Sequence, residues 1–150
     1  MRPERLELRK LNEDKVYFVD SNIFLELALD QERADDCEFF LNKVRKGVVK
    51  AVITCFHIDS IIIVMENYGK KPKTLRIFIS SLYGYKGLRI YYLSLLDRIL
   101  ATKYMEEYGL DFDDALAYAV MRKLGISKIV SYDKHFDSLR DITRLEPSQI

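Results

Sequence analysis

Short apolar runs alternate along this chain with longer segments in which apolar residues recur at helical spacing. The runs predict strands at 16–19, 48–54, 88–93 and 128–131, and 142–145 is a candidate fifth strand. The segments between them predict helices at 23–29, 32–46, 56–68, 72–82 and 95–108, and from Asp111 or Asp113 to Gly125. Strands that alternate with helices are typical of an α/β fold in which helices cover both faces of a parallel sheet. We therefore predict a three-layer fold in which helices flank a central parallel sheet of four to five strands.

Composition limits the classes of protein to consider. The 150 residues and the 49% hydrophobic content fit one globular domain, and no repeat or linker divides the chain. No apolar stretch approaches the roughly 20 residues that a membrane span needs. The charged N-terminus is followed by no apolar signal region, and Cys37 and Cys55 have neither metal-binding nor redox spacing. We expect a cytoplasmic protein with buried thiols and no membrane association.

Three aspartates stand where the predicted strands and helices deliver them to one edge of the sheet. Asp20 directly follows the first strand, Asp133 lies just beyond the fourth, and Asp114 falls in the first turn of the last long helix. Each has a local explanation as a turn residue or a helix cap. Ligands of open α/β sheets bind at the carboxyl ends of strands, however, and an oxygen-rich pocket there suits a hard divalent cation. The local explanations together would require three independent coincidences at one edge of the sheet, so we favour a metal site.

The net charge of +1 gives no general reason to expect nucleic acid binding, but the charge is unevenly distributed. No acidic residue occurs between Glu66 and Asp97. Cations can neutralise phosphates and aromatic rings can stack on unpaired bases, whereas the alternative interpretation is a solvated helix face and a tyrosine-rich loop. The basic and tyrosine residues of this interval are Lys70, Lys71, Lys73, Arg76, Lys86 and Arg89 with Tyr68, Tyr83, Tyr85, Tyr91 and Tyr92.

Three segments carry a resemblance to a known family. Val19-Asp20-Ser21-Asn22, the stretch 114–119 (Asp-Ala-Leu-Ala-Tyr-Ala) and the stretch 129–136 (Ile-Val-Ser-Tyr-Asp-Lys-His-Phe) resemble, in order and spacing, the signature segments of PIN-domain nucleases. This family includes the toxins of toxin–antitoxin pairs and ribosomal-RNA processing nucleases. The resemblance implies a single PIN-like domain over 1–150, with its core at about 15–147. It also implies a parallel five-stranded sheet and metal-dependent cleavage of phosphodiesters, mostly in RNA.

The resemblance assigns roles to individual residues. Asp20, Asp114 and Asp133 would ligate Mg²⁺ or Mn²⁺, and Asn22 and Ser131 would orient those carboxylates or the metal-bound water. Hydrolysis would leave a 5′-phosphate and a 3′-hydroxyl. The RNA strand would be guided by the basic segment, with Lys70, Lys71, Lys73 and Arg76 as its substrate-binding residues.

One position departs from the family pattern. The family usually has a glutamate early in the helix after the second strand, where this chain offers Asp59, or Ser60 in a shifted register, while Glu66 is too far along. Either Asp59 acts as a fourth catalytic acid through water, or the site has three acids. His57 and His135 are expected to be structural or surface residues, because a metal-bound water needs no histidine base.

Partners and alternatives follow from the same resemblance. RNA is the expected substrate, a cognate antitoxin is a candidate partner, and the family usually forms homodimers. A phosphotransferase of the haloacid-dehalogenase kind would need a second aspartate two residues after Asp20, where this chain has Asn22. The alternative function is a catalytically inactive PIN-like module that binds RNA or protein.

Overall fold

A five-stranded parallel sheet forms the centre of the computed structural model, which describes residues 16–150. The strands lie in the order β3-β2-β1-β4-β5, so β1 is central. This arrangement confirms the predicted α/β fold and includes the candidate fifth strand. The strands are β1 (Val16–Val19), β2 (Lys50–Thr54), β3 (Leu88–Tyr91), β4 (Lys128–Val130) and β5 (Thr143–Leu145).

Six α-helices pack around this sheet in the described part of the chain. They begin and end within a few residues of the predicted limits. The helices are α1 (Ser21–Ala28), α2 (Ala34–Arg45), α3 (Cys55–Asn67), α4 (Pro72–Ser81), α5 (Leu95–Tyr108) and α6 (Phe112–Leu124).

The predicted start of the second strand at residue 48 is two residues too early. The backbone N–H groups of Val48 and Val49 both donate to the carbonyl oxygen of Lys43, at 3.0 and 3.2 Å, and so satisfy the end of α2. Gly47 has a φ of +79°, which turns the chain at this point. The N–H groups of these two valines therefore bond to the C-terminal end of α2, and strand pairing begins only at Lys50.

Two apolar clusters enclose the sheet, one on each face. Phe18 of β1 joins the cluster beneath α5 and α6, while its neighbour Val19 joins the cluster beneath α1, α2 and α3. Successive side chains of a strand point to opposite faces, so both positions of a central strand must be apolar. This requirement explains why β1 is a continuous apolar run that ends abruptly at Asp20.

The carboxyl edge of the sheet brings distant segments side by side. The backbone N–H of Asp20 donates to the carbonyl oxygen of Val130 at 3.0 Å, and the N–H of Ser131 donates to that of Leu145 at 3.0 Å. The residues that follow β1 and β4 therefore leave the sheet as neighbours. None of the helices within residues 16–150 is long and apolar enough to cross a membrane.

Candidate metal centre

Asp20 has two roles at the end of β1. It is the N-cap of α1, where its Oδ1 accepts the backbone N–H of Ser21 at 2.8 Å. Its Oδ2 accepts the hydroxyl of Ser131 at 2.6 Å. The capping role therefore uses only one of the two carboxylate oxygens, and Asp20 is only 5% exposed.

Ser131 and Asn22 hold the carboxylate of Asp20 in place. Besides donating to Asp20, the Ser131 hydroxyl oxygen accepts the backbone N–H of Asp133 at 2.9 Å. The amide nitrogen of Asn22 lies 3.3 Å from both Asp20 Oδ2 and Ser131 Oγ. The carbonyl oxygen of the same Asn22 side chain is buried and has no hydrogen-bond partner within residues 16–150. Buried polar atoms normally have a partner, so this oxygen marks a place where a polar group is needed.

Asp114 enters the site from the first turn of α6. Asp111 is the N-cap residue, Asp113 is exposed, and Asp114 is buried beside Ala115, whose small side chain allows close packing. His57 holds the start of α6 in place, because its Nε2 lies 3.1 Å from the carbonyl oxygen of Asp113. Its Nδ1 contacts the hydroxyl of Thr54.

His57 is therefore a structural residue, as predicted. Burial lowers the pKa of His57 to about 4, which leaves the ring neutral with Nε2–H as the donor to Asp113.

Asp133 and His135 complete a compact group with Asp114. Asp133 is half-buried and its Oδ1 accepts the backbone N–H of His135 at 2.9 Å, which turns the chain back on itself. The Nδ1 of His135 lies 3.2 Å from Asp133 Oδ1 and 3.6 Å from Asp114 Oδ2. One ligand atom from each of these three residues lies within 4.8 Å of the others.

The prediction for His135 was incomplete. Its ring is exposed, as expected of a surface residue, but it lies against the acids. The sequence signal for this contact is that His135 follows Asp133 by two residues across a tight turn.

The pKa values of Asp20 and Asp114 lie above the ordinary value for an aspartate. Burial raises the pKa of Asp20 to about 6, against the lowering effect of the Ser131 and Ser21 hydrogen bonds. Burial, the charge of Asp113 and the proximity of Asp133 raise the pKa of Asp114 to about 9. Both shifts arise because negative charges are crowded in a region of low polarity. A divalent cation would remove this cost.

The chemistry of the donors fits Mg²⁺ or Mn²⁺. Carboxylate oxygens of Asp114 and Asp133 lie within 4.8 Å of each other, and Asp20 is close enough to raise the pKa of Asp114. A further buried oxygen, that of the Asn22 side chain, lacks a partner among the described residues. Hard divalent ions prefer oxygen ligands and keep several waters, so an incomplete protein ligand set is expected.

Asp59 is not a member of the compact group of Asp114, Asp133 and His135. Its exposed side chain is on α3 and lines an apolar cavity of about 250 Å³ between α3, α4 and β3. The other lining residues include Cys55, Ile79, Tyr83 and Tyr92. Within residues 16–150, the group of three potential ligands contains neither Asp59 nor Asp20.

The predicted basic segment is divided by the fold. Lys70 and Lys71 precede α4, and Lys73 and Arg76 lie on it; all except the half-buried Lys70 are exposed. Lys86 and Arg89, by contrast, line a cavity with Val16 and Lys50, the first residues of β1 and β2. That cavity is at the amino ends of the strands, so only the part around α4 remains a candidate RNA guide.

Solved structures of toxins share this fold. VapC20 of Mycobacterium tuberculosis, a toxin that cleaves the sarcin-ricin loop, is 15% identical, with a TM-score of 0.71 over 88% of this chain and 99% of that one. A toxin–antitoxin complex from Klebsiella pneumoniae is 14% identical, with a TM-score of 0.65 over 87% of this chain and 97% of that one.

VapBC2 of Rickettsia felis, bound to a DNA fragment from its promoter, is 15% identical, with a TM-score of 0.60 over 87% of this chain and 98% of that one. At such identities the likeness concerns the fold. No curated protein matches the sequence significantly. The PIN domain family model, however, matches residues 17–142. Because this match spans most of the chain, the protein belongs to the PIN domain family.

Proposed function

We propose that this protein is a metal-dependent ribonuclease that hydrolyses RNA phosphodiester bonds with a carboxylate-bound Mg²⁺ or Mn²⁺. The observation that carries the proposal is the convergence of Asp114 and Asp133 beside the buried Asp20, at the carboxyl edge of the sheet in a PIN-family chain. Crowded carboxyls with raised pKa values are typical of sites built to hold a cation. The sequence resemblance of the same three residues to the family's signature segments supports the assignment.

Each residue has a distinct task in this proposal. Asp114 and Asp133 hold the ion directly, and Asp20 contributes the third carboxylate. Ser131 and Asn22 fix the orientation of Asp20 through the hydrogen bonds described above. When bound, the ion polarises the phosphate and lowers the pKa of a water molecule, so that hydrolysis needs no histidine base.

The fourth acid and the RNA guide stay predictions. Asp59 would act through water from the rim of its cavity, as the fourth catalytic residue. The RNA strand would approach along α4, where the side chains of Lys71, Lys73 and Arg76 are exposed. The half-buried Lys70 precedes this helix. Phosphate contacts of this kind give affinity without base specificity.

A cleavage assay tests the function directly. The full chain is incubated with single-stranded RNA and Mn²⁺ or Mg²⁺, beside Asp20→Asn and Asp114→Asn variants and a reaction with chelator. Glu38→Gln, an exposed change on α2, is the matched control. We expect cleavage by wild type and control only with metal, and its loss in both aspartate variants. Absence of metal-dependent cleavage, or equal cleavage by the variants, would refute the proposal, and retained RNA binding without cleavage would favour the inactive module.

We further propose that the protein is the cytoplasmic toxin of a toxin–antitoxin pair and forms a homodimer. Two solved structures of similar fold are toxin–antitoxin assemblies, which supports an antitoxin partner. Exposed apolar side chains, Tyr92, Leu95, Leu96 and Ile99, offer an interaction surface. Growth arrest on expression in a bacterial host, absent in Asp114→Asn, would support the toxin role. Sedimentation equilibrium would distinguish dimer from monomer.

A further inference from the structure

The His135 side chain is aimed at the metal centre by its own backbone. The chain turns after Asp133 into a short 3₁₀ turn, residues 134–138, and the His135 N–H donates to Asp133 Oδ1 at 2.9 Å. This turn brings Nδ1 to 3.2 Å from Asp133 Oδ1 and 3.6 Å from Asp114 Oδ2. Within residues 16–150, His135 is the only basic side chain at ion-pair distance from either carboxylate.

These distances match those between neighbouring ligands of one ion. An octahedral ion with ligand bonds of about 2.1 Å has adjacent ligand atoms roughly 3 Å apart. The three atoms of Asp114, Asp133 and His135 therefore need only a small adjustment to share an ion. The His135 side chain is 70% exposed, so the group faces solvent on that side.

We propose that the Nδ1 of His135 is a ligand of the metal centre beside Asp114 and Asp133, and that this nitrogen makes the site select Mn²⁺ over Mg²⁺. The inference rests on the proposed function and specifies its metal. Mg²⁺ takes oxygen ligands almost exclusively, whereas Mn²⁺, which also prefers oxygen, is a first-row transition ion and accepts an imidazole ligand more readily than Mg²⁺ does. A site with an imidazole nitrogen among its carboxylates therefore favours Mn²⁺ over Mg²⁺.

The rival explanation is that a protonated His135 only supplies positive charge to the acids. The two explanations require different states of the ring. A ligand presents the Nδ1 lone pair to the ion and carries its proton on Nε2, whereas a counter-charge donates Nδ1–H to the carboxylates. They also predict opposite effects of removing the ring: loss of a ligand weakens Mn²⁺ binding, but loss of a counter-charge strengthens it.

Calorimetric titration of the purified full chain with Mn²⁺ and with Mg²⁺ separates these explanations. We expect His135→Gln to weaken Mn²⁺ binding by about tenfold or more, and to change Mg²⁺ binding much less. Lys134→Gln is the matched control, since it removes an exposed positive charge next to His135 without removing a ligand. Its Mn²⁺ affinity should equal that of wild type. Equal or tighter Mn²⁺ binding by His135→Gln, or parallel losses for both ions, would overturn the inference.

Pulsed electron paramagnetic resonance gives a readout independent of activity. The chain has only two histidines, and both ring nitrogens of the buried His57 are engaged with Thr54 and Asp113. In protein labelled with ¹⁵N-histidine, a hyperfine coupling to bound Mn²⁺ is expected in wild type and not in His135→Gln, whose fold is checked by circular dichroism. No coupling in wild type would overturn the ligand assignment even if RNA is cleaved. Coupling without cleavage would retain it and count against the nuclease proposal.

Discussion

Replacement of Asp114 by asparagine should stabilise the metal-free protein. Burial and the charges of Asp113 and Asp133 raise the pKa of Asp114 to about 9 in the folded state, from an ordinary value of 3.8. Between these values the folded protein keeps a proton that the unfolded chain releases, so the free energy of unfolding falls as the pH rises. This contribution is complete below pH 3.8 and is lost as the pH rises through the folded-state value.

The size of the effect follows from the distance between the ordinary pKa of 3.8 and the working pH. At pH 7 the cost of keeping this carboxyl protonated has an upper bound of about 4 kcal/mol. Structural relaxation and water reduce such costs, and we expect a gain of about 1–3 kcal/mol when uncharged asparagine replaces Asp114. The gain should shrink toward acidic pH, where wild type no longer carries the cost.

Urea unfolding followed by circular dichroism, in chelator at about pH 5, 7 and 9, measures this effect. The midpoint should fall with pH for wild type and for the Glu38→Gln control, and should be higher and flatter for Asp114→Asn. Added Mn²⁺ should stabilise wild type and not Asp114→Asn, because a ligand that binds only the folded state shifts the equilibrium. A variant that is less stable than wild type at pH 7, or that keeps the same pH slope, would refute the reasoning.

Three further predictions concern neighbouring parts of the site. Ser131→Ala removes a hydrogen bond to the buried Asp20 carboxylate, so it should lower the free energy of unfolding in urea by about 1.5–3 kcal/mol and abolish RNA cleavage. The exposed Ser81→Ala should change neither the stability nor the cleavage rate. Charge reversal at Lys71 and Lys73 should weaken RNA binding and lower its salt slope by about 0.7 for each phosphate that is no longer neutralised, measured by fluorescence anisotropy; an unchanged slope would exclude this surface. Asp59→Asn should reduce the cleavage rate if a fourth acid acts through water, and an unchanged rate would leave three acids.

Much of the fold could be predicted because its signals are local. The buried β1 and β4 are apolar runs in the sequence, Gly109 and Gly125 end helices with positive φ, and Asp20 follows directly from the end of a central strand. The order of the strands and the start of β2 at Lys50 could not be predicted from local sequence. Both depend on which backbone carbonyl accepts each N–H in the folded chain.

The sequence brings Asp20, Asp114 and Asp133 to one edge of the sheet, but it does not reveal the contacts between them. The hydrogen bond from Ser131 to Asp20 joins residues 111 positions apart, so only the general orienting role could be expected from the family resemblance. The fold also separates Lys86 and Arg89 from α4, although they are close in sequence. The sequence predicts His135 as a structural or surface residue, because its contact with Asp114 depends on the folded chain.

The chemical ends of the RNA fragments test the central claim most directly. Hydrolysis by a water bound to a metal at Asp114 and Asp133 predicts fragments with 5′-phosphate and 3′-hydroxyl ends. Mass spectrometry of the products should find these ends with Mn²⁺ or Mg²⁺, and no fragments in chelator or with Asp114→Asn. Fragments with 2′,3′-cyclic phosphate ends, or the same fragments in chelator, would contradict the account.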